Sequence, residues 1–108
     1  MEKLPKSIFE LLSSETFRNR LGLFIEEKKI GILRAFIDGF LLAKISENRS
    51  LEREKFAEFH NWVANYYGWN ESTEGWKNII LKECNGDEEI AVDIFFDVYD
   101  KFIQKQNK

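Results

Sequence analysis

The chain has 108 residues, 44% hydrophobic and 15% aromatic, with one Pro, one Cys and one His. That length and composition specify one domain with room for a single sizeable core, and they exclude a disordered chain. The net charge of −3 argues against a general binder of phosphate backbones, and one Cys with one His can make neither an internal disulfide nor a zinc site.

Met1 opens a polar segment with Lys3 and Lys6 and no apolar run of signal-peptide length behind it. No stretch is apolar for long enough to span a bilayer. A cytosolic protein without a membrane partner is the expectation. Residues 1–55 hold 11 Lys/Arg against 9 Asp/Glu, and residues 56–108 hold 5 against 10. The acidic excess therefore sits in the C-terminal half.

Helix patterns are strong along the chain and strand patterns are weak. Pro5 stands near the start of a short helix on which Ile8, Leu11 and Leu12 share a face. Ser13 or Ser14 is placed to cap a second short helix through Thr16, Phe17 and Leu21, with Gly22 at its end. Leu23-Phe24-Ile25 is an apolar connector that suits an extended segment, and Glu26-Glu27-Lys28-Lys29 is a charged turn.

The central helix runs from Ile30 to about Glu47. Its only charges between residues 30 and 43 are Arg34 and Asp38, an i,i+4 pair. Leu33, Phe36, Ile37, Phe40 and Leu41 make its main face, while Ile32, Ala35, Leu42 and Ala43 fill most of the remainder. A helix apolar nearly all round is expected to be buried. Gly39 inside it costs about 1 kcal/mol against Ala, which close approach of a neighbouring element would explain.

Asn48-Arg49-Ser50 reads as a turn, with Ser50 as N-cap of a helix over residues 51–67. Phe56, Phe59, Trp62, Val63, Tyr66 and Tyr67 occupy one arc of that helix, and Gly68 ends it. Trp69-Asn70-Glu71 is a loop. Ser72 caps a helix that turns Trp76, Ile79, Ile80 and Cys84 inward. Asn85-Gly86 is a helix stop, and Asp87 starts the last helix. The expected fold is an all-α single domain over residues 1–108: a bundle of about five helices, with the helix of about 30–47 buried at its centre.

The last helix carries the most informative pattern. At 100° per residue, Glu89, Asp93, Asp97 and Asp100 fall on one narrow stripe. Like charges at i,i+4 are mutually unfavourable, and a face needing only solvation would mix signs more cheaply. The plainer reading is a solvated face in which Asp97 pairs with Lys101. The functional reading is a partner surface, since Ile90 and Phe96 flank the stripe as apolar anchors. Trp69 and Tyr99 are further candidate anchors, being amphipathic aromatics toward the polar edges of their elements. Trp62 and Tyr66 share that position.

Catalytic and metal patterns are poor. His60 sits at the edge of an aromatic arc, and nothing in the sequence ties it to a Ser or Cys nucleophile. Cys84 fits a small core residue. No nucleophile elbow, phosphate loop or dinucleotide fingerprint is present. Asn85–Glu89 lacks the alternating ligands of a calcium loop, and a di-iron bundle needs more than one His. Neither an enzyme nor a cofactor is expected.

The core spacing resembles that of a loose group of small bacterial all-helical proteins, some of them similar to immunity proteins of toxin systems. Leu33, Phe36, Ile37, Asp38, Gly39, Phe40 and Ala43 carry the likeness. Phe56, Phe59, Trp62, Val63 and Tyr67 continue it, then Ser72, Gly75, Trp76, Ile79 and Ile80. Glu89, Ala91, Phe95, Phe96 and Phe102 complete it. Asn19-Arg20-Leu21-Gly22-Leu23-Phe24 stands where similar sequences carry an Arg-Pro-Gly-like segment. The resemblance implies a helical, non-enzymatic protein that binds another protein.

The leading expectation is therefore an immunity-type inhibitor whose acidic face meets a basic protein partner. Against a nuclease cleft, the four carboxylates would mimic phosphates. Two alternatives belong to other classes. One is a small-ligand protein or enzyme with a pocket beside His60. The other is a homodimer formed through the aromatic edges.

Overall fold

The computed structural model describes residues 7–45, 50–69 and 75–106. Among them lie α1 (Ile8–Ser13), α2 (Glu15–Asn19), a 3₁₀ turn (Leu21–Leu23), α3 (Ile30–Ile45), α4 (Ser50–Tyr66), α5 (Gly75–Glu83) and α6 (Glu88–Gln106), with no strand. The chain is an all-α single-domain bundle. No helix among the described residues is long and apolar enough to cross a membrane.

Local chemistry sets the helix ends. The Ser7 hydroxyl accepts from the Glu10 N–H at 3.0 Å, and the Ser14 hydroxyl accepts from the Phe17 N–H at 3.2 Å. Each satisfies a donor that the first turn leaves without an intrahelical partner. The Asp87 carboxylate accepts from both the Glu89 and Ile90 N–H groups and starts α6. Helix α4 closes with Gly68 at φ +74, its N–H donating to Asn65 and that of Trp69 to Ala64. Helix α5 closes the same way on Asn85 at φ +55, with the Gly86 N–H donating to Leu81. Both are Schellman stops with a left-handed residue just past the helix. Pro5, expected near the start of the first helix, the cap expected at Ser72 and the end of the central helix at about Glu47 lie outside the described residues.

The segment after α2 differs from expectation. Helix α2 ends at Asn19 rather than reaching Leu21, and Leu23-Phe24-Ile25 is not extended. Arg20 leaves helical geometry, and the Ile25 N–H donates back to the Leu21 carbonyl at 3.0 Å. That tight turn drops Ile25 into the core while leaving Leu23 and Phe24 exposed.

The core centres on α4 and α6. Phe59 is fully buried, and its ring lies 5.4–6.0 Å from those of Phe56, Trp76, Phe95, Tyr99 and Phe102, mostly edge to face. Such pairings add to what burial alone contributes. Helix α6 packs against α3, α4 and α5 at once.

Helix α3 is not the buried axis that its apolar content suggested. Ile30, Leu33, Ile37 and Leu41 are buried, but Arg34, Ala35, Asp38, Gly39, Leu42 and Ala43 face outward. Among the described residues, nothing lies within 4 Å of where a Cβ at Gly39 would stand. The apolar side chains of a helix set how much of it could be buried. The elements packed around it decide how much is, and the partners of α3 cover one side.

Candidate protein-binding surface

Helix α6 buries Ala91, Val92, Phe95, Val98, Tyr99 and Phe102. A 3.6-residue period then forces Glu89, Asp93 and Asp97 onto the opposite ridge, where all three are exposed, with Asp100 half-exposed beside them. Ile90 on the same ridge is 52% exposed. The carboxylates do share one outward strip.

Three of them gain cations, two through tertiary contacts and one from within α6. The Arg18 guanidinium donates two hydrogen bonds to Asp100, at 2.9 and 2.7 Å. Its Nε donates to the Leu12 carbonyl at 2.8 Å, and its plane lies 4.7 Å from the centre of the Phe96 ring. This arginine ties the carbonyl end of α1, the body of α2 and the middle of α6 into one unit. The Lys28 ammonium, from the turn before α3, donates to Asp93 at 3.0 Å. The Lys101 ammonium donates to Asp97 at 3.1 Å and to the Tyr66 hydroxyl at 3.0 Å. Those bonds, with Tyr66 the larger contributor, raise the Lys101 pKa. Glu89 alone of the four has no side-chain partner among the described residues. The Asp97–Lys101 pair was legible as i,i+4 spacing. Arg18 and Lys28, 82 and 65 residues from their partners, had no sequence signal.

The expected aromatic anchors fare differently. Tyr99 is a correction: it is fully buried. Its hydroxyl donates to the Phe9 carbonyl at 3.2 Å and lies 3.5 Å from the Ser13 hydroxyl, which ties α1 to α6. Burial raises its pKa. Its position at the edge of the α6 face points it under α1, whose packing the helix wheel does not contain. Trp69 is half-buried. Its indole N–H donates to Glu83 at 3.1 Å, and the Lys82 ammonium lies 5.5 Å from its ring, so it fastens the end of α4 to the end of α5. Trp62 stacks on Tyr66 with ring centres 5.1 Å apart, and Tyr66 is the exposed member of that pair. Phe96 is half-buried beneath Arg18.

No family model, curated protein or solved structure matches the chain.

The ligand-pocket alternative requires a deep cavity holding His60 and at least two carboxylates. The groove bounded by Phe9, Lys55, Glu58, Phe102 and Ile103 is open, and among the described residues that line it there is one carboxylate and no His60. His60 is half-buried, with its Nδ1 shielded from solvent and without a hydrogen-bond partner among the described residues. Cys84 is half-buried just beyond α5, and its thiol pKa is raised by burial and then by Asp87 and Glu83, which disfavours the thiolate. Among the described residues, no group of three or more His, Cys, Asp or Glu side chains is placed to hold a metal ion.

Proposed function

We propose that this protein is a non-enzymatic protein-binding protein, an immunity-type inhibitor that presents the α6 ridge to a basic surface on a bacterial toxin. The observation that carries the proposal is the accessibility of the ridge: four carboxylates and Ile90 stand together on the outer side of the helix that holds the core. Glu88 beside the ridge adds to the acidity, whereas Glu26 and Glu27 are balanced by Lys28 and Lys29 in the same turn, Glu27 pairing with Lys29 at 3.1 Å. Lys28 and Lys101 are each a little under half exposed, with carboxylate partners more exposed still, and surface pairs of this kind are weak and exchangeable. A partner arginine or lysine could displace either cation without unfolding anything. The Arg18–Asp100 pair is better built and is assigned to the scaffold.

In this mechanism the acidic field speeds encounter, while Ile90 supplies apolar contact once the surfaces meet. If the toxin is a nuclease, the spaced carboxylates occupy the positions of phosphates in its cleft.

The test compares wild-type bait with the Asp93→Asn/Asp97→Asn double variant, in extracts of the native host at low and at moderate salt. The expected result is a basic partner held by the wild-type protein, released as salt rises, and recovered several-fold less well by the variant. Equal recovery by both baits, with no dependence on salt, would remove the ridge from the mechanism.

A further inference from the structure

The outward face of α3 is unlike the rest of the surface. Ala35, Gly39 and Leu42 run down its middle, Ile32 is half-buried on one flank, and Arg34 with Asp38 forms the other. In a chain that is 32% charged, these two are the only charges on the helix before Lys44, and they cancel. Leu42 is 67% exposed. Beyond the Ile32 flank the apolar surface continues through Phe36 to Phe24, whose rings are 6.2 Å apart, and on to Leu23, which is 76% exposed. Among the described residues, three of the five large exposed hydrophobics therefore lie on this side. Exposed apolar side chains gathered in this way are a feature of interfaces. Gly39 adds a second observation: it weakens the helix relative to Ala, yet among the described residues no part of its own chain approaches it.

We infer that a second copy of this chain covers this face, with the two α3 helices antiparallel about a two-fold axis near residue 37. Charge self-complementarity favours this occupant and sets the orientation: Arg34 and Asp38, 3.2 Å apart within their own helix and both about half exposed, form a neutral edge that can pair equally with an identical edge. When antiparallel helices are related by a two-fold axis lying in their interface, like edges meet. The Arg34/Asp38 edge of one copy then runs along the same edge of the other, so each Arg34 reaches Asp38 of the second copy. In a parallel pair the charged edge would lie against the apolar flank. The antiparallel register sets Ala35 against Gly39 of the second copy and Leu42 against Ile32, so small side chains oppose small and large oppose large. The backbones can approach closely where Gly39 has no side chain. The contact is isologous, as closed dimers require. None of its residues belongs to α6, so each copy keeps its acidic ridge, and the inference does not depend on what that ridge binds.

A single helix pair with a small rim is at the low end of stable interfaces, so the dimer is expected to dissociate in the micromolar range. Sedimentation velocity and light scattering over a wide concentration range test this. The mass should rise from 12.8 kDa towards twice that value. Leu42→Glu should weaken the dimer by at least about 30-fold while leaving helix content unchanged, because Leu42 is 67% exposed and lies outside the buried core. The deciding experiment uses charge. Arg34→Asp alone places four acids on the shared edge, and Asp38→Arg alone places four bases there. Each should weaken self-association about 5-fold or more, and an equimolar mixture of the two should form heterodimers at wild-type affinity. A wild-type chain that stays monomeric up to about millimolar concentration overturns the inference. So does a dimer indifferent to Leu42→Glu, or a mixture with no preference for the heterodimer.

Discussion

Arg18 shows how much one side chain can hold. It pairs with Asp100 in fork geometry, caps an α1 carbonyl and covers Phe96, in a site where the arginine side chain is only 22% exposed. Charge-assisted, bidentate bonds in such a setting exceed ordinary surface pairs. Arg18→Ala should lower the free energy of unfolding by about 2–3 kcal/mol and Asp100→Asn by about 1 kcal/mol. A double-mutant cycle in denaturant should give coupling of about 1 kcal/mol. Coupling near zero would mean that Arg18 acts through Phe96 and the α1 carbonyl alone. The same residue marks where sequence reading stops. Asp100 and Arg18 are both visible as charges, but only the fold puts them 2.7 Å apart. Tyr99 makes the point in reverse. Its place on the helix wheel is ambiguous, and α1 closes over it.

At the scale of elements, the boundaries were the most legible feature. Ser14, Gly68, Asn85-Gly86 and Asp87 act where their chemistry says they should, because a cap involves only neighbours in the chain. Asp87→Ala removes the acceptor for two N–H groups at the head of α6 and should cost about 1 kcal/mol in thermal or denaturant unfolding. Loss of much less would show that solvent satisfies that helix end equally well. Helix α3 shows a different solution. Its first turn contains no acidic residue, and a side chain from another helix does the work: Glu88 of α6 accepts from the Gly31 N–H at 3.3 Å. Sequence spacing cannot reveal a cap of that kind. Nor could it reveal which face of α3 the described residues leave exposed, since the apolar run reads the same whichever face the other helices cover.

At the scale of the whole molecule, the aromatic core controls the response to alkali. Burial, ahead of nearby Cys84, Tyr66 and the carboxylates, pushes the Tyr67 hydroxyl up to about 12, and burial also raises Tyr99. In the unfolded chain both would ionise near 10. The folded state therefore holds protons that the unfolded state loses, so this contribution to stability is complete below about pH 10 and falls away as pH rises towards 12. Absorbance titration should show late, unfolding-linked ionisation among the three tyrosines. Three ordinary transitions near pH 10, with the fold intact, would contradict the burial. By itself the sequence determined the helical class, most helix ends, the inward faces of α4, α5 and α6, and the outward placement of the carboxylates. Each follows from local hydrogen bonding or from the 3.6-residue period. Only the tertiary structure decided that Arg18 and Lys28 reach Asp100 and Asp93, which aromatics are sealed in, and which face of α3 the described residues leave exposed. Those depend on contacts between residues far apart in the chain, and neither spacing nor composition encodes them.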